Sequence, residues 1–299
     1  MKKLYSLLYQ SVKIIRYILQ FPLIVINFLG NCYADLLIFF DKRNHNASWQ
    51  QILQKSIDRY KSGNIIVSQN PNKVIKFYTP SLMASLRAKT IFTKEPDTIE
   101  WLDQNGSKDN CLFDIGANLG LYSIYYSKKF DAKVFSFEPS FKNLELMARN
   151  IRLNSLQENI TIISNPLTNQ FLISKYFQGD FEAGAAEASF NNQKFIEEFE
   201  IDNKKLNFTK NKISYNTLAI SIDNLMSLNL INYPKLIKID VDGNEIEILN
   251  GCSKLLDKSE KTSILIETRP STEKIIEQKL NSHGFKKIKS LRSNSVWEN

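Results

Sequence analysis

Residues 111–154 read CLFDIGANLGLYSIYYSKKFDAKVFSFEPSFKNLELMARNIRLN. A short apolar run ends in Asp114, and Gly116, Asn118 and Gly120 follow before an apolar stretch of helical character. A second apolar run, KVFSF, then ends in Glu138 and Pro139. Strand, glycine turn, helix, strand, acid is the plan of a nucleotide-binding βαβ unit. Glycines let the backbone turn sharply and approach a ligand with no Cβ in the way. A carboxylate at the tip of the next strand can accept both hydroxyls of a ribose.

The spacing of the glycines separates cofactors. A dinucleotide fold wants G-x-G-x-x-G, with the second glycine against a pyrophosphate. Counting from Gly116, those later positions hold Asn118 and Leu121. The pattern present is D-x-G-x-x-x-G, with an acid where a pyrophosphate would be repelled. An acid there suits a ligand with a cationic end, such as the amino group of S-adenosylmethionine. No G-x-x-x-x-G-K-[ST] occurs, so nucleoside triphosphate chemistry is not indicated.

A second cluster of acids lies in KLIKIDVDGNEIEILNG, residues 235–251. It reads as an apolar strand, Leu236 to Ile239, running into Asp240, Asp242, Gly243 and Glu245, and then a helix. The run SILIE closes on Glu267. Ligands of an open parallel sheet bind at the carboxyl ends of its strands, and Asp114, Glu138, Asp240 and Glu267 all read as strand-end acids. Asp242 and Glu245 are equally good candidates for helix capping or first-turn acids.

FDIGANLGLYS with FSFEPS, then AISIDNL running into LIKIDVDGNEIEILNG and ILIE, resemble the FkbM family of S-adenosylmethionine-dependent methyltransferases. The resemblance covers roughly residues 80–299. The family's usual D-V-E-G-x-E is matched with Asp242 in place of its glutamate. The resemblance implies an α/β fold of class I, Rossmann-like: a mostly parallel seven-stranded sheet flanked by helices, its last strand antiparallel. It implies methyl transfer to a hydroxyl on a sugar, glycolipid or polyketide, with S-adenosylmethionine as cofactor. Carried onto this chain, Asp114, Gly116, Asn118 and Gly120 would line the methionine end of the cofactor, Glu138 would hold the ribose and Asn165 would read the adenine. Residues 170–217 would be an insertion near the acceptor pocket, or else a solvated hairpin.

With histidine confined to His45 and His283, a carboxylate is the expected proton acceptor. Asp240 leads as general base or orienting group, followed by Glu245 and Glu267. A divalent metal on Asp240, Asp242 and Glu267 is the less favoured arrangement. Cys32, Cys111 and Cys252 have no paired spacing, which leaves no Cys/His zinc site. The competing class of function is a scaffold that binds the cofactor without chemistry, and the acceptor could also be a small molecule or a nitrogen.

The chain of 299 residues carries 39 Lys and Arg against 31 Asp and Glu, a net +8. Residues 1–80 hold 11 basic and three acidic residues, so the whole excess sits there and residues 81–299 balance. No basic surface can then be assigned to the methyltransferase part, and nucleic acid is not an expected partner. Within the first segment, Lys2, Ser6, Gln10, Lys13, Arg16 and Gln20 form one polar stripe of a helix whose remaining surface is apolar. The charge-free run Tyr17 to Ala34 is broken by Gln20, Pro22, Asn27, Gly30 and Asn31, short of the roughly 20 apolar residues of a spanning helix. No signal-peptide cleavage pattern follows it, so a cytoplasmic protein is expected. Three readings of residues 1–40 remain: an interfacial helix making peripheral contact with the inner face of a membrane, where a sugar- or lipid-linked acceptor would sit, a helix packed on the core, or, least favoured, a transmembrane span. The expected organisation is a helical extension over 1–80 and a methyltransferase domain over 81–299.

Overall fold

Seven strands form the central sheet, in the order β13-β14-β12-β11-β3-β4-β5. These are β3 (Leu112–Ile115), β4 (Val134–Phe137), β5 (Ile160–Ile163), β11 (Leu236–Ile239), β12 (Ser263–Glu267), β13 (Lys286–Ser290) and β14 (Asn294–Glu298). β3, β4, β5, β11 and β12 pair in parallel, and β14 runs antiparallel to both β12 and β13. The sheet is therefore the expected one, seven-stranded with its last strand reversed. The computed structural model describes residues 64–67, 74–178, 188–190, 200–201, 204–205, 213–241, 243–258 and 260–299.

The strands are short and apolar because both faces are covered. Successive side chains point to opposite faces. Phe113, Ile115, Phe137, Ile237, Ile239, Ile264 and Ile266 pack on one side with α5 (Ile222–Ser227), α6 (Glu245–Asn250), α7 (Ser253–Leu256) and α8 (Glu273–Ser282). Leu112, Val134, Ile160, Leu236 and Leu265 pack on the other with α2 (Pro96–Asn105), α3 (Leu121–Phe130) and α4 (Phe141–Leu153). Each such side chain contributes about 1.5–3 kcal/mol on burial. An exception in this second face therefore needs a reason, and Asp114, Ser136 and Lys238 are exceptions, paired in one register row across β4, β3 and β11.

The structure moves one expected boundary. β1 (Asn64–Val67) and β2 (Ile75–Tyr78) pair antiparallel, and Ile75 and Phe77 are buried in the core beneath α3 and α4. The open edge of β2 is closed by Asn150 in the last turn of α4 and by Asn154, which caps that helix. Asn154 accepts from the Lys76 N–H at 3.0 Å and donates to the Lys76 carbonyl at 2.7 Å, while Asn150 accepts from the Tyr78 N–H at 2.7 Å. Residues 75–78 thus belong to the folded unit that begins at Ser62, in strand rather than helix. The alternation in IKFY, buried and exposed by turns, is the period that produces it. Residues 1–63 and 68–73 of the expected extension lie outside the described residues.

Over residues 170–217, β6 (Leu172–Gln178), β7 (Ala188–Phe190) and β10 (Ile213–Ala219) form a three-stranded antiparallel sheet in the order β10-β6-β7, and β8 (Glu200–Ile201) pairs with β9 (Lys204–Lys205). α1 (Leu82–Lys89) is capped by the Ser81 hydroxyl, and among the described residues no helix is long and apolar enough to cross a membrane.

Candidate active site

Ile115, Phe137, Ile239 and Ile266 share a register row, and the residues that follow them are Gly116, Glu138, Asp240 and Glu267. Three of the expected acids therefore line the carboxyl edge of neighbouring strands. Asp114 lies one row deeper.

The glycine turn joins this edge to α3. Gly116, Asn118 and Gly120 have φ of +81°, +51° and +77°, the left-handed region where glycine is least strained. A Cβ on Gly116 would fall 1.8 Å from the Asp240 carbonyl oxygen, and one on Gly120 would fall 2.9 Å from Met147 Cγ. The glycines are thus required by neighbouring protein: the turn is pressed against the backbone of Asp240 on one side and against α4 on the other. The N–H groups of Gly116 and Ala117 both donate to the Phe137 carbonyl at 3.0 Å, which ties the turn to β4.

Glu138 is 5% exposed at the tip of β4. It accepts from the N–H of Asn118 and of Ser140, each at 2.8 Å, and from Asn143 Nδ2 at 3.4 Å. Burial pushes its carboxyl up, these donors offset part of that, and it titrates at about 7. The insertion reaches this tip, where Tyr215 of β10 donates to the Pro139 carbonyl at 3.2 Å and packs against Phe141 and Tyr176. Ser140 Oγ is buried with no hydrogen-bond partner among the described residues.

Asp114 is fully enclosed. Its Oδ2 accepts from the Ser123 N–H at 3.1 Å and from Ser123 Oγ at 2.5 Å, and Ser123 Oγ accepts in turn from Ser136 at 2.8 Å. That carboxylate satisfies an N–H in the first turn of α3, a capping task performed from a neighbouring strand. Its other oxygen faces Lys238 Nζ at 3.8 Å. The expectation that Asp114 lines the cofactor meets a side chain turned inward, beneath the glycine turn.

Lys238 is what the sequence reading missed. It stands within the apolar run LIKI, yet its side chain is 2% exposed and its ammonium donates to Asp240 Oδ2 at 3.1 Å. The Tyr122 ring lies 5.2 Å from Nζ, and the Tyr122 hydroxyl donates to Glu95 at 2.9 Å. A charged residue inside a four-residue strand buried on both faces was the available signal, since lysine is seldom fully buried unless paired. Burial alone would lower the pKa of Lys238; Asp240, Asp114 and Glu95 outweigh it and hold the ammonium charged. The two acids on it are driven apart. Burial keeps Asp114 above the usual carboxylate range despite Lys238 and Ser123. Burial also pushes Asp240 up, but Lys238, with Lys94 and Arg87 adding their charge, holds it below that range.

Glu245 is buried, and its Oε1 accepts from the Gly243 N–H at 3.0 Å, bracing the start of α6. Glu267 pairs with Arg269 at 3.4 Å at the end of β12. The Asn165 amide donates to the Leu218 carbonyl at 3.0 Å, fastening the chain after β5 to β10. Asp242 lies outside the described residues. Among the described residues no three His, Cys, Asp or Glu side chains are grouped as a metal site.

A model of the FkbM methyltransferase domain matches residues 114–287, more than half of the chain. The chain belongs to the FkbM methyltransferase family. Its match begins at Asp114 and takes in both acid clusters and the insertion between them. This FkbM protein is a methyltransferase, and it is 26% identical over 193 residues to the hexuronic acid methyltransferase AglP of Haloferax volcanii, covering 60% of this chain and 71% of AglP. Solved structures similar to it include the FkbM methyltransferase of Methylobacillus flagellatus KT, with 14% identity, TM-score 0.42 and coverage of 72% of this chain and 54% of the other. Another is precorrin-6y C5,15-methyltransferase of Geobacter metallireducens GS-15, with 16% identity, TM-score 0.39 and coverage of 70% and 90%.

Proposed function

We propose that this FkbM methyltransferase uses S-adenosylmethionine to methylate a hydroxyl on a sugar of a glycan or glycolipid. The observation that carries this reading is the pairing, on one sheet edge, of a buried carboxylate at the tip of β4 with a half-exposed, ionised Asp240 across the glycine turn. Glu138 suits a ribose diol: its oxygens already accept two backbone N–H bonds, and the unpartnered Ser140 hydroxyl lies two residues away. The turn at Gly116, Asn118 and Gly120 would carry the methionine end, with Asp114 supporting it through Ser123 at the start of α3. Asn165 is the proposed adenine contact.

When bound, S-adenosylmethionine supplies an electrophilic methyl carbon. Asp240 would meet the acceptor and take its hydroxyl proton onto a carboxylate oxygen as the new C–O bond forms and the methyl–sulfur bond breaks, leaving a neutral thioether. An ionised carboxylate is the form able to accept that proton. Glu245 and Glu267 are then supports of the edge, on the evidence of their bonds to Gly243 and Arg269. The sugar acceptor is supported by the likeness to a hexuronic acid methyltransferase. The basic, apolar residues 1–40 would favour a lipid-linked acceptor at the inner face of a membrane.

The test is transfer of labelled methyl to a glucuronic-acid disaccharide, a neutral hexose disaccharide and a lipid-linked glycan extract, with titration calorimetry against S-adenosylmethionine and NAD. We expect binding of S-adenosylmethionine alone and a product stable to mild base, as an ether is and a methyl ester is not. Asp240→Asn should keep cofactor affinity within about threefold and lose about 10²–10⁴ in turnover. An Asp240→Asn enzyme of undiminished turnover removes Asp240 from the chemistry, and a base-labile product replaces the hydroxyl acceptor with a carboxylate.

A further inference from the structure

Asp240 directly follows β11, two residues after Lys238, and the Lys238 ammonium reaches its carboxylate. Across the sheet, Lys238 is in register with Asp114 of β3. One ammonium therefore stands between an acid sealed under the glycine turn and an acid on the open edge, at 3.8 Å and 3.1 Å. Tyr122 covers it at 5.2 Å, and the ring is held by a hydrogen bond from its hydroxyl to Glu95. Enclosing a lysine in the apolar face of a sheet costs several kcal/mol unless it is paired, and a leucine in its place would pack as its neighbours do. A role solely in stability does not need this arrangement.

Lys238 engages Oδ2 of Asp240, and Oδ1 has no hydrogen bond among the described residues. Asp240 keeps 35% of its side chain exposed, whereas Lys238 and Asp114 are sealed. The carboxylate is thus gripped from inside by one oxygen. We propose that Lys238 is a positioning residue for methyl transfer: anchored on Asp114 and covered by Tyr122, it holds Asp240 by Oδ2 and presents Oδ1 to the acceptor hydroxyl. The proposal rests on the reading that Asp240 meets the acceptor. The same ammonium keeps that carboxylate ionised, so that the proton released by the acceptor finds an empty oxygen. Lysine suits the task better than arginine, being a compact charge that fits below a ring, where a planar fork would span both acids.

The groups acting on Asp240 are Lys238 of β11, Asp114 on β3, Tyr122 on α3, Arg87 on α1 and Lys94 just before α2, while Glu95, which caps α2, acts on Lys238 and Tyr122. The test reads Asp240 itself. Full-length protein carrying ¹³C-labelled aspartate is titrated by NMR with S-adenosylmethionine present, and the Asp240 signal is assigned by its loss in Asp240→Asn. In Lys238→Met the midpoint of Asp240 should rise by roughly one to three units. The acid limb of the pH profile, measured with the glucuronic-acid disaccharide, should move up with it, while calorimetric affinity for S-adenosylmethionine stays within about threefold. Lys238→Met in the Asp240→Asn background should lose nothing further in turnover, which a general packing defect would not spare. If Lys238→Met fails to fold because Asp114 is left uncompensated, Asp114→Asn/Lys238→Met removes both charges and gives the same readout. An unmoved Asp240 midpoint, or a further loss of turnover in the Asp240→Asn background, overturns the proposal. Full turnover of Asp240→Asn overturns instead the reading on which it rests.

Discussion

Glu138 ought to make both the stability of the free protein and its grip on cofactor depend on pH, in opposite directions. Its carboxyl titrates at about 7 in the folded chain against an ordinary 4.5, because burial outweighs the N–H groups of Ser140 and Asn118 and the Asn143 amide. A raised folded pKa means that the folded state holds the proton more tightly than the unfolded one. The stabilisation from Glu138 is then complete below pH 4.5 and is lost as pH rises through about 7. The difference of pKa values converts to about 3 kcal/mol. That corresponds to a fall in Tm of roughly 5–10 °C between pH 4.5 and pH 8 for a unit of this size. Glu138→Gln cannot ionise, so the Tm difference between it and the wild type isolates this contribution from Asp240 and the other acids. Cofactor binding runs the other way. If the ribose hydroxyls bond to the ionised carboxylate, the apparent Kd for S-adenosylmethionine should weaken about tenfold from pH 8 to pH 6. Calorimetry at pH 6, 7 and 8 measures it, and Glu138→Gln should bind weakly with no slope. Wild-type affinity that is flat from pH 6 to 8, or a Glu138→Gln protein that keeps the wild-type slope, would refute the reasoning.

Gly116→Ala should move the Asp240 backbone, since the new Cβ starts 1.8 Å from its carbonyl oxygen at a φ of +81°; we expect a loss of order 10² in turnover, and wild-type turnover in the methyl-transfer assay would contradict it. Asn154→Ala strips the bonds to both backbone groups of Lys76 at the edge of β2, and a loss of about 1–3 kcal/mol in urea unfolding is expected. Phe77→Ala, opening a void in a fully buried position of the same strand, should cost about 3–5 kcal/mol by the same measurement. If residues 75–78 were instead a detachable part of an extension, both changes would leave the unfolding midpoint where it was.

Much of the fold was legible because its signals are local. The apolar runs ending in Asp114, Glu138, Asp240 and Glu267 are strands covered on both sides, and such strands announce themselves as near-continuous Leu, Ile, Val and Phe, broken here by Ser136 and Lys238. The glycine turn was legible too, but not that Gly116 is needed by Asp240 and Gly120 by Met147, which are contacts between segments apart in the chain. β2 escaped notice because four alternating residues beside a basic, apolar segment resemble the end of that segment. What identifies it is Asn150 and Asn154, more than seventy residues away.

The division between sequence and structure is sharpest at Lys238. Residue types and spacings by themselves determined the parallel α/β class of fold and the acids at its strand ends, and the resemblance of those motifs pointed to the FkbM methyltransferase family, since each of these rests on short stretches of sequence. Only the tertiary structure decided which acids face outward and which are enclosed, that Glu245 braces its own helix, and that a lysine hidden in an apolar strand charges Asp240. Those outcomes depend on register between β3 and β11 and on the closeness of groups brought together by folding, where a few ångströms of burial reverse the direction in which a carboxyl titrates.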